Sequence, residues 1–293
     1  MLLLLAVLFV AARTWSSVSL GGSIAAGLRS GIIGVLLCGL VLLIMKALSK
    51  RPLADRFGAL SLPPAKAWAG LVGVVLLYLF ELGAIMDQLQ RAGYVAGPPI
   101  YDAIPGWGGM VAALERVGAA VTRWVPGVES YMFVSMIRGG IVFVLLPMLL
   151  LVLLGLRRGD FAAGGGDIKP ALPLAAVCVA AFVADGVTVE KVLLFLYFLL
   201  HVGIQQEFFF RGAMQPLLSG ALQSPVLGIG FSVMLFALLH APDFVLRVYS
   251  APGPAVGSVA TVAMFGLLMS YGAYRSGMLW PWMLIHALSR VLG

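Results

Sequence analysis

Charge is scarce in this sequence. Only 19 lysines and arginines and 12 aspartates and glutamates occur among 293 residues, 11% of the chain, where soluble domains carry roughly 25%. So few ionised groups cannot hydrate the surface of a chain this size, which excludes an ordinary soluble globular domain. Cysteine is nearly absent. Cys38 and Cys178 both lie in apolar stretches, so neither a disulfide framework nor a cysteine-based metal site is available. Only three histidines occur, His201, His240 and His286, all in the C-terminal half. There is no internal repeat and no low-complexity tail.

What is abundant is apolar. The chain is 61% hydrophobic, with a mean hydropathy of +1.05, so lipid is the natural solvent for most of its surface. The expected fold is an all-α polytopic transmembrane helix bundle. About 20 helical residues cross the roughly 30 Å hydrocarbon core, and about eight stretches approach that length. They run near Ile32–Leu48, Trp68–Met86, Met132–Leu156, Ala171–Asp185, Val192–Leu218, Val226–Ala241, Ala255–Tyr274 and Leu279–Leu292. The opening Met1–Ala12 is apolar but lacks the basic flank and small-residue cleavage site of a signal peptide. It is expected to be a further retained helix that includes part of Val18–Gly27. The net charge of +7 would suggest nucleic-acid binding in a soluble protein. Here it places basic loops against anionic headgroups, and no nucleic-acid partner is expected. Of the 19 basic residues 14 are arginine, which fits a GC-rich bacterial genome and a bacterial inner membrane.

Breakers separate the stretches. Arg51-Pro52 and Pro63-Pro64 bracket the first loop, Gly97-Pro98-Pro99 opens the second, and Gly164-Gly165-Gly166 punctuates the third. The longest loop, Asp87–Tyr131, carries Glu115, Arg116 and Arg123 among apolar residues, which predicts an amphipathic helix at the membrane interface. Basic residues fill the first loop (Lys46, Lys50, Arg51, Arg56, Lys66) and the third (Arg157, Arg158, Lys169), and Arg275 precedes the last span. An even number of spans separates these loops, so all three share one side, which should be cytoplasmic.

Ionisable residues inside a span cost roughly 2.5–3.5 kcal/mol each even on translocon scales, so each needs a reason. Four stand out in the C-terminal half: Glu207, Arg211, His240 and His286. Glu207 and Arg211 sit at i and i+4 on one helical face. Taken alone they form either a buried ion pair that fixes packing or part of a site. His240 closes the apolar run Phe236-Ala237-Leu238-Leu239-His240 just before Pro242, and His286 opens His286-Ala287-Leu288-Ser289-Arg290. Alone, each is either an interfacial or hydrogen-bonded histidine or a catalytic one.

Together these residues resemble the motifs of the CPBP family, which groups type II CAAX prenyl endopeptidases with bacterial Abi-type membrane proteases. The family's first motif is Glu-Glu-x-x-x-Arg, its second Phe-x-x-x-His, and its third His-x-x-x-Asn or another small polar residue. Here they read Gln206-Glu207-x-x-x-Arg211, Phe236-x-x-x-His240 and His286-x-x-Ser289-Arg290. The resemblance covers roughly residues 169–293 as an intramembrane protease core, and the transmembrane region 1–168 carries no recognised motif. It implies an endopeptidase that cleaves a membrane-associated protein or peptide near its C-terminus, such as a sorting tail or leader. It also implies a metal-free mechanism in which a glutamate and the second-motif histidine activate water and the third motif stabilises the oxyanion. Carried over, His240 holds the water and His286 with Arg290 or Ser289 binds the oxyanion. Arg211 positions Glu207, the carboxylate left to act as base.

Two positions depart from the pattern. Gln206 stands where the family has its first glutamate, and Arg290 where it has asparagine. Glutamine orients a water but takes no proton from it. A catalytically inactive scaffold that keeps the cavity is therefore the alternative to an active enzyme. Zinc held by one glutamate and two histidines is a weaker alternative, since His-Glu-x-x-His is absent, and a proton-coupled transporter is weaker still.

Overall fold

The computed structural model describes residues 2–49, 63–125, 128–155 and 166–292. Its main helices are α1 (Leu2–Ser19), α2 (Ile24–Leu48), α3 (Pro64–Arg91), α4 (Trp107–Val121), α5 (Ser130–Leu153), α6 (Lys169–Ala184), α7 (Val189–Ala221), α8 (Pro225–Val248), α9 (Pro252–Ser276) and α10 (Trp280–Val291). No strand occurs among the described residues. The protein is an all-α polytopic integral membrane bundle. In hydrocarbon every backbone polar group must be satisfied within the protein, and helices achieve this segment by segment.

All eight expected stretches are helical, but not all have spanning length. α2, α3, α5, α7, α8 and α9 are long and apolar enough to cross a membrane. α6 is shorter, confined between Pro170 and the left-handed Gly186 (φ +84°). α10 has 12 residues and starts at Trp280-Pro281. The further helix expected at the N-terminus is α1, which takes in Val18 and Ser19; a turn then follows. Gly21 takes φ +80°, and the Ser23 hydroxyl caps α2 by accepting from the Ala26 N–H. The longest loop does contain a helix, α4. Its preceding segment is tied to the bundle through Asp87, which accepts from Tyr101 N (2.9 Å) and Trp107 Nε1 (3.3 Å).

The apolar positions divide by face. Leu36, Leu76, Leu153 and Val177 point outward, Leu153 at 84% exposure, as lipid-facing side chains do. Inward, α3, α5, α7 and α8 share one core that includes Val74, Tyr78, Phe143, Phe209, Phe210, Leu217 and Phe236. α2, α6, α9 and α10 share a second, around Met45, Met269 and Trp282. The N-terminal region thus packs directly on the helix that carries the first motif. Gly139 of α5 makes room for Gln205 of α7, whose Nε2 donates to the Met136 carbonyl at 2.7 Å.

Trp282 is completely buried, and its indole Nε1 donates to Ser276 Oγ at 2.9 Å. Its ring lies where a Cβ on Gly272 would be. Gly272→Ala is therefore expected to destabilise the protein by about 1–3 kcal/mol through overpacking, measured as a lowered unfolding midpoint in detergent.

α7 decides the depth of the site. α7 runs unbroken through Arg211 to Ala221. Glu207 lies fourteen residues before that end, and His240 lies fifteen residues after the start of antiparallel α8 at Pro225. Continuity of the helix, not a break, brings them level. Two stretches of α7, Leu199–Ile204 and Phe208–Met214, have π-type hydrogen bonding. Such wider turns re-aim side chains and are frequent at functional sites.

Candidate active site within the bundle

A cavity of about 710 Å³ lies between α3, α4, α5, α7, α8 and α10. Of the sequence-predicted residues, Gln206, His240 and Arg290 line it. His240 Nδ1 lies 2.9 Å from the Phe236 carbonyl oxygen. That oxygen only accepts, so Nδ1 carries the hydrogen and Nε2 keeps its lone pair. Gln206 is half-buried, and its Oε1 has no hydrogen-bond partner among the described residues. The Arg290 guanidinium stacks over Phe198, 5.7 Å from the ring centroid. No ion pair to Arg290 is found among the described residues.

Glu207 and His286 lie elsewhere. Neither lines the cavity. The Glu207 side chain is fully buried, and its Oε1 accepts from Arg211 Nη1 (3.1 Å) and from His286 Nδ1 (2.7 Å). Arg211 is held on every side. Its Nε donates to Ser270 Oγ at 3.1 Å, its Nη2 to the Gly266 carbonyl at 3.2 Å, and its guanidinium lies 4.3 Å from the Phe236 ring centroid. Ser289 turns its hydroxyl back on the His286 carbonyl at 2.7 Å.

Phe236 is the partition. Its ring contacts His240 edge-on at 5.0 Å and His286 edge-on at 5.9 Å. One histidine is on the cavity side, the other on the side of the buried pair. The second motif therefore spaces an aromatic and a histidine by one helical turn, so that the ring walls off the Glu207–Arg211–His286 network while the histidine faces open space. Glu207, Arg211 and His286 make a rigid backing that fixes α7, α9 and α10 relative to one another. Among the described residues no three histidine, cysteine, aspartate or glutamate side chains converge in a metal-ligand cluster.

Several cavity residues were not singled out from the sequence. His201 lines the cavity from the first π stretch of α7, and its Nδ1 has no hydrogen-bond partner among the described residues. Arg138 of α5 lines it too, held by Glu81 of α3 through two hydrogen bonds of 2.9 and 2.8 Å. Glu81 and Arg138 are ionisable residues inside apolar spans. The rule that flagged Glu207 applies to them equally, and it was the available signal. Asp243 and Arg247, an ion pair at 2.7 Å, follow His240 by one and two turns of α8.

The fold and this polar site define a class: a polytopic membrane protein with a cavity among its helices whose lining includes both an imidazole, His240, and a carboxamide, Gln206. Residues 188–292 match the family model described as Type II CAAX prenyl endopeptidase Rce1-like. The resemblance drawn from the three motifs therefore holds over that segment, which at family level is that of a membrane protease. No curated protein and no solved structure matches the chain.

Proposed function

We propose that the protein is an intramembrane endopeptidase in which His240, rather than a carboxylate, is the water-activating base. Its substrate is a membrane-associated protein or peptide cleaved near its C-terminus, in a bacterial inner membrane. The observation that carries this reading is that one cavity is lined both by Gln206 and by a His240 whose Nδ1 is engaged with the Phe236 carbonyl, leaving Nε2 its lone pair. The Gln206 carboxamide orients a water toward Nε2. As the water oxygen bonds to the scissile carbonyl carbon, its proton passes to Nε2. The carbonyl becomes an oxyanion, which Arg290 stabilises from the cavity wall, because His286 is engaged with Glu207. Fixed donors in a water-poor site stabilise developing charge strongly. The carbon–nitrogen bond then breaks and His240 returns the proton to the leaving amine. The scheme needs no metal. Residues 1–168 supply the far wall of the cavity, and residues 169–293 supply the reacting groups.

General-base catalysis is worth about 10²–10⁴-fold, so His240→Ala is expected to reduce processing at least about 100-fold while the protein stays folded. Comparing the C-terminal peptides of membrane proteins in cells expressing wild type or His240→Ala identifies the processed polypeptide and measures the loss. Equal processing by the two proteins overturns the proposal.

One observation favours a second reading. Position 206 carries an amide where the family motif has a carboxylate, so the cavity could bind a membrane peptide without cutting it. Under that reading wild type and His240→Ala show the same uncleaved C-termini, and the protein co-purifies with the intact polypeptide.

A further inference from the structure

We infer that the cavity opens on the non-cytoplasmic face of the membrane and takes polypeptide that has already crossed it. The identity of the cargo as a cleaved peptide rests on the proposed endopeptidase function; the direction of opening does not.

The helix ends fall into two sets. At one end Arg275 Nη2 donates to the carbonyls of Lys46 and Ser49, both at 3.2 Å, and Asp167 N donates to the Ser276 carbonyl at 2.8 Å. These bonds gather the end of α2, the end of α9 and the approach to α6. The end therefore carries Lys46, Lys169 and Arg275, with Lys66 at the start of α3. The sequence joining α2 to α3 and α5 to α6 contains Lys50, Arg51, Arg56, Arg157 and Arg158, all outside the described residues. By the positive-inside rule this end is cytoplasmic.

α3 runs away from that end and finishes at Arg91, and α5 starts back from the opposite end at Ser130. The rim of the cavity is built there. Gln88, Tyr94, Glu129 and Arg247 line it, and Ser135 Oγ donates to Gln88 Oε1 at 2.9 Å. Three of the cations at this end have carboxylate partners. Arg91 pairs with Asp87 and Asp102, Arg247 with Asp243, and Lys191 with Asp185. An ion-paired arginine offers less net charge to anionic headgroups, so this end has the weaker hold on the cytoplasmic leaflet. His240 lies eight residues from the Val248 end of α8, nearer this rim than the basic end.

The direction is testable in intact bacterial cells with the full chain. Cys38 and Cys178 are replaced by serine, and one cysteine is introduced at the rim (Tyr94→Cys, with Glu129→Cys as a second site) or at the basic end (Lys66→Cys). A membrane-impermeant maleimide is added before or after the inner membrane is permeabilised, with labelling in denaturant as the reference. The rim cysteines are expected to label fully in intact cells and Lys66→Cys only after permeabilisation. The opposite pattern, or equal labelling of both ends in intact cells, overturns the inference. A bulky maleimide on Tyr94→Cys is further expected to stop processing. If the rim labels from outside but processing continues, the direction stands and the cleavage reading fails.

Discussion

Gln206→Glu is expected to raise the rate of peptide cleavage at least about 100-fold. A glutamine amide accepts no proton, so in the wild type the whole burden of deprotonating water falls on His240. A carboxylate is nearly the same shape and would occupy a position where the Gln206 Oε1 already lacks a partner among the described residues. It could take the water proton itself or hold the His240 imidazolium as it forms. General-base effects of about 10²–10⁴ set the scale. The measurement is the first-order rate constant for conversion of the processed polypeptide in isolated membranes, with wild type, Gln206→Glu and the Gln206→Glu/His240→Ala double variant side by side. A detectable wild-type rate that rises in Gln206→Glu supports the proposed enzyme. A wild-type rate of zero with activity only in Gln206→Glu supports the binding protein. An unchanged rate in Gln206→Glu would mean that no carboxylate is missing and that His240 alone limits the chemistry.

Glu207→Ala is expected to act on stability before it acts on chemistry. Both side chains of the Glu207–Arg211 pair are completely buried. Removing one partner of such a pair costs about 3–5 kcal/mol, because the other charge is left without compensation. Here it would also release His286, whose ring nitrogen lies 2.7 Å from the same carboxylate oxygen. The expected result is a large fall in the unfolding midpoint in detergent and poor yield of folded protein. Glu207→Gln keeps an acceptor and should fall less. Glu207→Ala combined with Arg211→Met removes both charges and should recover much of the loss, the coupling being read from the double-mutant cycle. If Glu207 were the catalytic base, Glu207→Ala would instead melt like wild type and simply fail to process. The motif's glutamate–arginine spacing would then be about chemistry rather than architecture.

The membrane character was legible because it is a property of composition. A chain with this little charge has only one solvent in which it can fold, and helical spans follow from the backbone's need for internal hydrogen bonds. The polar motifs were legible for the complementary reason, since polar groups in apolar runs are costly and therefore conspicuous. Glu81 and Arg138 obeyed the same rule and could have been found. Span length was less legible. Whether Leu279–Leu292 crosses depends on where Trp280-Pro281 starts the helix, and local proline geometry is weakly visible in an apolar average. Where α1 ends within Val18–Gly27 is a similar case, set by the local breaker Gly21-Gly22 within a hydrophobic run.

The division of labour among the polar residues was not legible at all. Spacing places Glu207 and Arg211 on one helical face and puts a turn between Phe236 and His240, but it cannot say which groups face a cavity. That depends on how α7, α8, α9 and α10 pack together. The Phe236 ring assigns His240 to one compartment and His286 to another, and α3 and α5 from the motif-free region close the cavity over Gln206. The sequence by itself determined that this is a helical membrane protein with a rare set of intramembrane polar groups. Only the tertiary structure decided that Gln206 and His240 line one cavity while Glu207 is held between Arg211 and His286, because burial and access belong to the packed helices and not to any one of them.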